Sequence, residues 1–395
     1  MTTAAAELPP LTPEEAGHSD RLAERIRTVI AAEGGWIDFA RFMNLALYEP
    51  GLGYYSAGAL KFGAAGDFVT APEAAPVFSR CLAVQCAQVL QELGATAVLL
   101  ELGAGSGAMA AALLAELERR GQLPAEYWIL DLSADLRERQ RATLAGAVPH
   151  LLERVRWLDG LPDDRWVGMI VANEVLDALP IERFAIRAGD VHALGVGCEY
   201  GRLQLAEVRA NATLRAAVRR IEADLGAPLP EGYESELNPA LGPWLTALAA
   251  TLERGVLLFV DYGLPRREFY SPERTRGTLL CHFRHRFHDD ALARVGMQDI
   301  TAWVDFTAVA DAALAAGLDV VGYTTQAHFL IGCGLGEYVA NVADLDLVDR
   351  VNLSRQAMML TLPGEMGERF KAIALAKGCE MPLRGFAVRD LRRTL

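Results

Sequence analysis

The run Val98-Leu99-Leu100-Glu101-Leu102-Gly103-Ala104-Gly105-Ser106-Gly107 constrains this chain more than any other feature. Its apolar first half reads as a strand that passes directly into alternating glycines and then into the helical pattern of Ala108 to Arg120. Glycines allow the tight turn and leave no side chain between the main chain and a ligand. Strand, glycine turn and helix in that order form half of a parallel β-α-β unit, which commits the surrounding chain to an α/β fold. Short apolar runs at Ala97 to Leu102, Tyr127 to Asp131, Val155 to Leu158, Met169 to Ala172 and Val256 to Asp261 read as further strands, with helical patterns between most of them.

The same grammar serves dinucleotides, so the glycine spacing alone does not choose the ligand. Glu101 lies inside the motif, where a carboxylate suits the ammonium end of S-adenosylmethionine and repels a pyrophosphate. The spacing is also GxGxG and lacks the last glycine of GxGxxG. Asp131 ends the second strand, positioned for ribose hydroxyls, and Asp159 ends the third, near where an adenine amine would lie; both also suit helix capping. The expected cofactor is therefore S-adenosyl-L-methionine, held by Glu101, Gly103, Ala104, Gly105, Gly107, Asp131, Leu132, Asp159 and Asn173. The expected fold is the class I, Rossmann-like methyltransferase arrangement, a mostly parallel seven-stranded sheet with an N-terminal helical extension and α+β insertions.

At 395 residues the chain is longer than most single cores, so either one large domain with insertions or two domains is expected. We divide it into an N-terminal extension and cofactor lid at 1–95, a Rossmann-like core at 96–180 and 254–330, a strand and helix insertion at 181–253, and C-terminal helices with a final strand at 331–395. The insertion follows the fourth strand, beside the carboxyl ends of the sheet where ligands bind, and so faces substrate. Arg183 to Arg209 reads as its strand-rich part. Upstream, Ser19 and Asp20 are placed to cap one helix, Asp38 to cap a second through Leu47, and a long helix runs from about Ala74 to Leu93.

The net charge of −13 argues against nucleic acid as a partner and suits a basic protein substrate. Six scattered cysteines, with no CxxC pair, fit a reducing cytoplasm. No apolar stretch reaches the ~18 residues of a membrane span, and the N-terminus reads as a flexible tail rather than a signal peptide. Cys281, His282, His285 and His288 have the spacing of imidazoles gathered on a helix, but no carboxylate completes a ligand set and no metal is expected.

Further motifs resemble the MidA-like methyltransferases, a family that includes a mitochondrial arginine methyltransferase assisting respiratory complex I assembly. They are Tyr48 to Tyr55, Gly66 to Glu73, Glu101 to Gly107, Ala172-Asn173-Glu174-Val175-Leu176-Asp177-Ala178-Leu179-Pro180, Val260-Asp261-Tyr262-Gly263, Gly277-Thr278-Leu279, Gln298 to Thr301, Val304-Asp305-Phe306 and Met366 to Lys371. The resemblance implies that Gly66 to Glu73 folds over the cofactor, with Thr70, Pro72 and Glu73 near it. It also implies a protein arginine as methyl acceptor, as in the mitochondrial member; a methyltransferase for a small molecule or another nucleophile, and an assembly factor that retains the cofactor fold, are the alternatives. In one departure, Trp303 stands where relatives are expected to carry a histidine.

Methyl transfer from a sulfonium is an in-line displacement, so the protein chiefly aligns a nucleophile and excludes water. A guanidinium needs carboxylates to hold its planar fork. Glu174, just after the fourth strand, is the leading candidate, with Asn173 beside it and Asp177, ahead of Glu182, as a second carboxylate. The competing reading of Asn173-Glu174 is a helix N-terminal cap, and that of Asp177 is a first-turn acid. Asp261 either binds substrate or caps a turn.

Overall fold

The computed structural model describes residues 8–57, 70–131, 133–340 and 346–395. Two compact units emerge: one of Val69–Leu176, Gly242–Leu264 and Phe306–Leu395, and a companion of Met1–Phe68, Asp177–Leu241 and Pro265–Asp305. These boundaries differ from those drawn on the sequence. Helix Pro76–Leu93 falls in the first unit rather than in an N-terminal extension, because it is buried on most of its circumference and lies in the same apolar core as the sheet. The segment 265–305, drawn above as core, falls in the companion unit.

The first unit is built on β1 (Val98–Leu102), β2 (Tyr127–Leu130), β3 (Val155–Leu158), β4 (Trp166–Asn173), β5 (Leu252–Leu264), β6 (Asp319–Thr325) and β7 (Phe370–Lys377). Along the sheet they run β3-β2-β1-β4-β5-β7-β6, with β7 antiparallel to both of its neighbours and the first five parallel. Every residue of β1 is buried, as expected of a central parallel strand with no solvent face, which explains why it reads as an unbroken apolar run. The strand order reverses between β1 and β4, the point where ligands enter such sheets. Registers pair Leu158 with Leu130, Leu130 with Leu102, Leu102 with Ala172 and Ala172 with Phe259, so the strands end level. The residues that follow, Asp159, Asp131, Gly103, Asn173 and Val260, therefore form one row across the carboxyl edge.

The companion unit has its own core, in which Leu22, Ile26 and Ile30 of helix Pro13–Ala32 lie with Phe39 and Phe42 of helix Phe39–Tyr48 and with Val196 and Ile300. Strands Glu182–Arg187, Asp190–Glu199, Arg202–Arg209 and Glu234–Leu237 form an antiparallel sheet that Trp36–Asp38 joins from the N-terminal region. Asp38 caps its helix as expected, its Oδ1 accepting from Arg41 N at 2.6 Å. Ser19 and Asp20 do not cap theirs. The helix starts earlier, at a capping box in which Thr12 and Glu15 exchange bonds, so Ser19 and Asp20 sit within it. The histidine run is also not helical: His282 lies on strand Leu280–Phe283, His288 on Arg286–His288, and His285 in the turn between. Strand alternation and the turn separate the imidazoles, and no metal-ligand cluster occurs among the described residues. Among them, too, no helix is long and apolar enough to cross a membrane.

Candidate cofactor and transfer site

At the end of β1 the chain needs a backbone that few side chains allow. Gly103, Gly105 and Gly107 all have positive φ, and Gly107, at +84°, starts helix Ala108–Arg119. A Cβ on Gly103 would stand 3.0 Å from Val175 Cγ2, so this loop packs directly against the segment that follows β4. Ala104 is buried, its carbonyl accepting from Gly107 N at 2.8 Å, whereas Gly103 is exposed and Gly105 half-buried. The main chain is thus open to a ligand where the sequence expected one.

Glu101 is fully buried on β1. Tyr127 donates its hydroxyl to Oε2 at 2.5 Å, while Oε1 is buried with no hydrogen-bond partner. Burial pushes the carboxyl up to about 7, with the nearby Asp131 charge adding to the shift and the Tyr127 bond opposing it. An unsatisfied carboxylate oxygen of this kind fits a ligand that brings an ammonium group. Asp131 is also buried, its Oδ1 accepting from Ser133 N at 3.1 Å and its Oδ2 from Gln140 Nε2 at 2.9 Å. Ser133, not Asp131, caps the following helix. These features fit S-adenosyl-L-methionine: a carboxylate for its ammonium end, an open glycine main chain, and a buried acid at the ribose position.

Asp159 stands apart from this set. Its side chain is 95% exposed and pairs at 2.5 Å with Nη1 of Arg137, whose side chain is 19% exposed. Leu132 and Gly66 to Val69 lie outside the described residues, as does the N-terminal tail. Beyond them Thr70 precedes the short helix Ala71–Ala74, in which Pro72 is buried and Glu73 keeps Oε2 buried without a partner.

After β4 the chain does not enter a helix, so the capping readings of Asn173-Glu174 and of Asp177 fall away. Instead Glu174 adopts φ +54°, a left-handed conformation that costs a side-chain-bearing residue on the order of 1–3 kcal/mol. The other such non-glycine residues described, Ala188, Tyr200, Arg284, His285 and Arg294, occupy surface or hairpin turns. Here β5 holds the strain on both sides. Glu174 N donates to Val260 O at 3.0 Å, and Asp261 Oδ2 accepts from Val175 N at 3.1 Å and Leu176 N at 2.9 Å. Asp261 Oδ1 accepts from Tyr262 N at 2.9 Å, and the residue is 1% exposed, so the turn-capping reading of Asp261 is the one its geometry supports. Asn173 Nδ2 donates to Glu174 Oε1 at 3.0 Å, and Glu174 remains half-exposed. Strand register thus sets Asn173 and Glu174 beside Gly103, with Asn173 bonded to one oxygen of the Glu174 carboxylate.

Asp177 belongs to the companion unit, where it is 4% exposed and its carbonyl accepts from Ala302 N at 3.0 Å. There the ring of Tyr48 stacks on that of Tyr55, whose hydroxyl donates to Asp299 Oδ1 at 2.9 Å. Burial, then the charges of Asp299, Tyr48 and Asp177, raise the Tyr55 hydroxyl well above its usual range. Glu182, on a strand of this unit, is pushed up by burial and by Asp38. The Trp303 ring lies under the Arg274 guanidinium at 5.1 Å, and the backbone N–H of Trp303 donates to Thr278 Oγ1 at 2.9 Å. Sequence reasoning missed Tyr127 as the Glu101 partner and Gln140 as the Asp131 partner, since neither carries a motif.

Residues 81–324 match a family model described as "Putative S-adenosyl-L-methionine-dependent methyltransferase". A COG1565 superfamily structure from Burkholderia thailandensis, solved bound to S-adenosyl-homocysteine, is 42% identical with a TM-score of 0.93, covering 98% of this chain and 100% of its own. Among curated proteins, the mitochondrial protein arginine methyltransferase NDUFAF7 homolog of Drosophila melanogaster is 27% identical over 396 residues, or 92% of this chain and 86% of its own. The Danio rerio protein arginine methyltransferase NDUFAF7 is 26% identical over 401 residues, or 91% and 90%.

Proposed function

We propose that this chain, which belongs to the MidA-like family of S-adenosyl-L-methionine-dependent methyltransferases, methylates an arginine side chain of a basic protein, with Glu174 as the carboxylate that orients the guanidinium. The observation that carries the reading is the strained Glu174, held half-exposed at the end of β4 beside the glycine loop. The names of the Drosophila and Danio relatives and the acidic balance of the chain support a protein acceptor. The family resemblance extends the acceptor class to a respiratory complex I subunit.

When bound, the cofactor would supply a methyl group on a sulfonium; in-line transfer to the acceptor nitrogen would break the sulfur–carbon bond, leave S-adenosyl-homocysteine and release one guanidinium proton to solvent. Gly103 and Gly105 offer main chain to the cofactor, Glu101 its ammonium contact, Asp131 its ribose contact, and Thr70, Pro72 and Glu73 the covering segment. Glu174 accepts hydrogen bonds from the guanidinium and turns the nitrogen lone pair towards the methyl carbon. Asn173 fixes Glu174 Oε1, which narrows the carboxylate's rotation.

The experiment is transfer of labelled methyl from S-adenosyl-L-methionine to the proteins of a lysate of the source organism. The reading predicts a labelled band that resists nuclease, is lost to protease and yields methylarginine on hydrolysis. With Glu174→Ala, labelling falls at least a hundredfold while S-adenosyl-homocysteine binding is retained. Label confined to small molecules, or unchanged by Glu174→Ala, overturns it.

A further inference from the structure

Helix Ala134–Ala147 carries Arg137, Gln140 and Thr143 at intervals of three, and all three reach oxygens at the carboxyl ends of β1 to β3. Arg137 donates to Asp131 O at 3.1 Å from Nε and 2.8 Å from Nη2, and to Leu158 O at 2.6 Å. Thr143 Oγ1 donates to Ser106 O at 2.8 Å. Gln140, between them, is 0% exposed. Its Nε2 donates to Asp131 Oδ2 at 2.9 Å and to Gly105 O at 3.1 Å, and its Oε1 accepts from Trp157 Nε1 at 3.0 Å.

Both amide hydrogens and the carbonyl of Gln140 are therefore used, which few buried amides achieve without water. Glutamate could not donate to both partners, and leucine would strand Asp131 Oδ2, Gly105 O and the Trp157 indole. The approach depends on the glycine loop itself: a Cβ on Gly107 would stand 3.0 Å from Gln140 Cα.

We propose that Gln140 is a positioning residue for the cofactor: its one amide locks the Asp131 carboxylate to the glycine loop, so that ribose acceptor and loop main chain are set in register before the cofactor arrives. The proposal rests on the reading of Asp131 as the ribose acceptor. Asp131 Oδ1 accepts from Ser133 N and Oδ2 from Gln140 Nε2, so both ends of the carboxylate are held in place. Fixing such a pair in advance removes an ordering cost from binding.

The test is calorimetry on the full chain with two ligands, S-adenosyl-homocysteine and its analogue lacking both ribose hydroxyls, using wild type, Gln140→Leu, Gln140→Glu and Asp131→Ala. Gln140→Leu should weaken S-adenosyl-homocysteine about tenfold or more and the dideoxy analogue much less, since the loss runs through the ribose contact. Gln140→Glu, nearly isosteric, sets a second carboxylate against Asp131. Relative to wild type at the same pH, its binding should be weak at pH 8 and recover towards pH 5 as the pair takes up a proton. A helix-stapling role alone would weaken both ligands alike with no recovery, and that result overturns the proposal even if Gln140→Leu folds poorly, because Gln140→Glu carries the same contrast. If Asp131→Ala binds S-adenosyl-homocysteine as tightly as wild type, the ribose reading of Asp131 falls and takes the proposal with it. A normal Asp131→Ala loss beside equal losses of both ligands in the Gln140 variants removes the proposal alone.

Discussion

Burial pushes the Glu101 carboxyl up to about 7, and that gives two measurable consequences. In the ligand-free chain its carboxyl titrates near 7 against an ordinary 4.5, because burial disfavours the charge. Between those values only the folded chain holds the proton, so this residue's contribution to stability is complete below about 4.5 and is lost as pH rises through 7, a loss on the order of 3 kcal/mol. An ammonium ligand prefers the ionised form, which reverses the dependence for binding. Affinity for S-adenosyl-homocysteine should fall about tenfold from pH 8 to pH 6 in wild type and stay flat, and weaker, in Glu101→Gln. Calorimetry across that range checks it; a pH-independent wild type would remove Glu101 from the ammonium contact. That Glu101 and Asp131 lie at the carboxyl ends of β1 and β2 was legible in the sequence. Their protonation and partners were not, since Tyr127 and Gln140 reach them only through the sheet and the helix above it. Asp159, equally well placed in sequence, has an exposed side chain, paired with Arg137.

Elements decide how the strained turn after β4 survives. Three backbone N–H groups, from Val175, Leu176 and Tyr262, converge on the Asp261 carboxylate at the end of β5. Asp261→Ala would leave them short of acceptors and release Glu174 from its left-handed conformation. We expect a loss of about 3 kcal/mol in unfolding free energy, by denaturant titration, and a fall in methyl transfer larger than that in S-adenosyl-homocysteine affinity. Transfer unaffected in a destabilised variant would show that the clamp does not serve Glu174. No local pattern reveals this arrangement, because Asp261, which accepts from Val175 N and Leu176 N, lies 86 and 85 positions further along the chain than they do. The strands themselves were legible, since central parallel strands are buried on both faces and read as apolar runs. The helix start at Thr12 was misplaced because serine and aspartate ahead of any apolar stripe imitate a cap.

At the scale of the whole chain, the alternation of strands and helices foretold the Rossmann-like sheet, but not which segments travel together. Trp36–Asp38 joins a strand some 160 positions later, a pairing that three residues cannot announce. The segment 265–305 carries short strands that resemble continuations of the core and instead belongs to the companion unit. The account separates holding the cofactor from directing its methyl group, the first assigned to the ends of β1 and β2 and the second to Glu174. The most direct test is parallel calorimetric titration of wild type and Glu174→Ala with S-adenosyl-homocysteine and with NAD. The account predicts equal S-adenosyl-homocysteine affinity in both proteins, within about threefold, and no heat from NAD. Tight NAD binding without S-adenosyl-homocysteine binding would contradict the cofactor assignment, and loss of S-adenosyl-homocysteine binding in Glu174→Ala would contradict the separation.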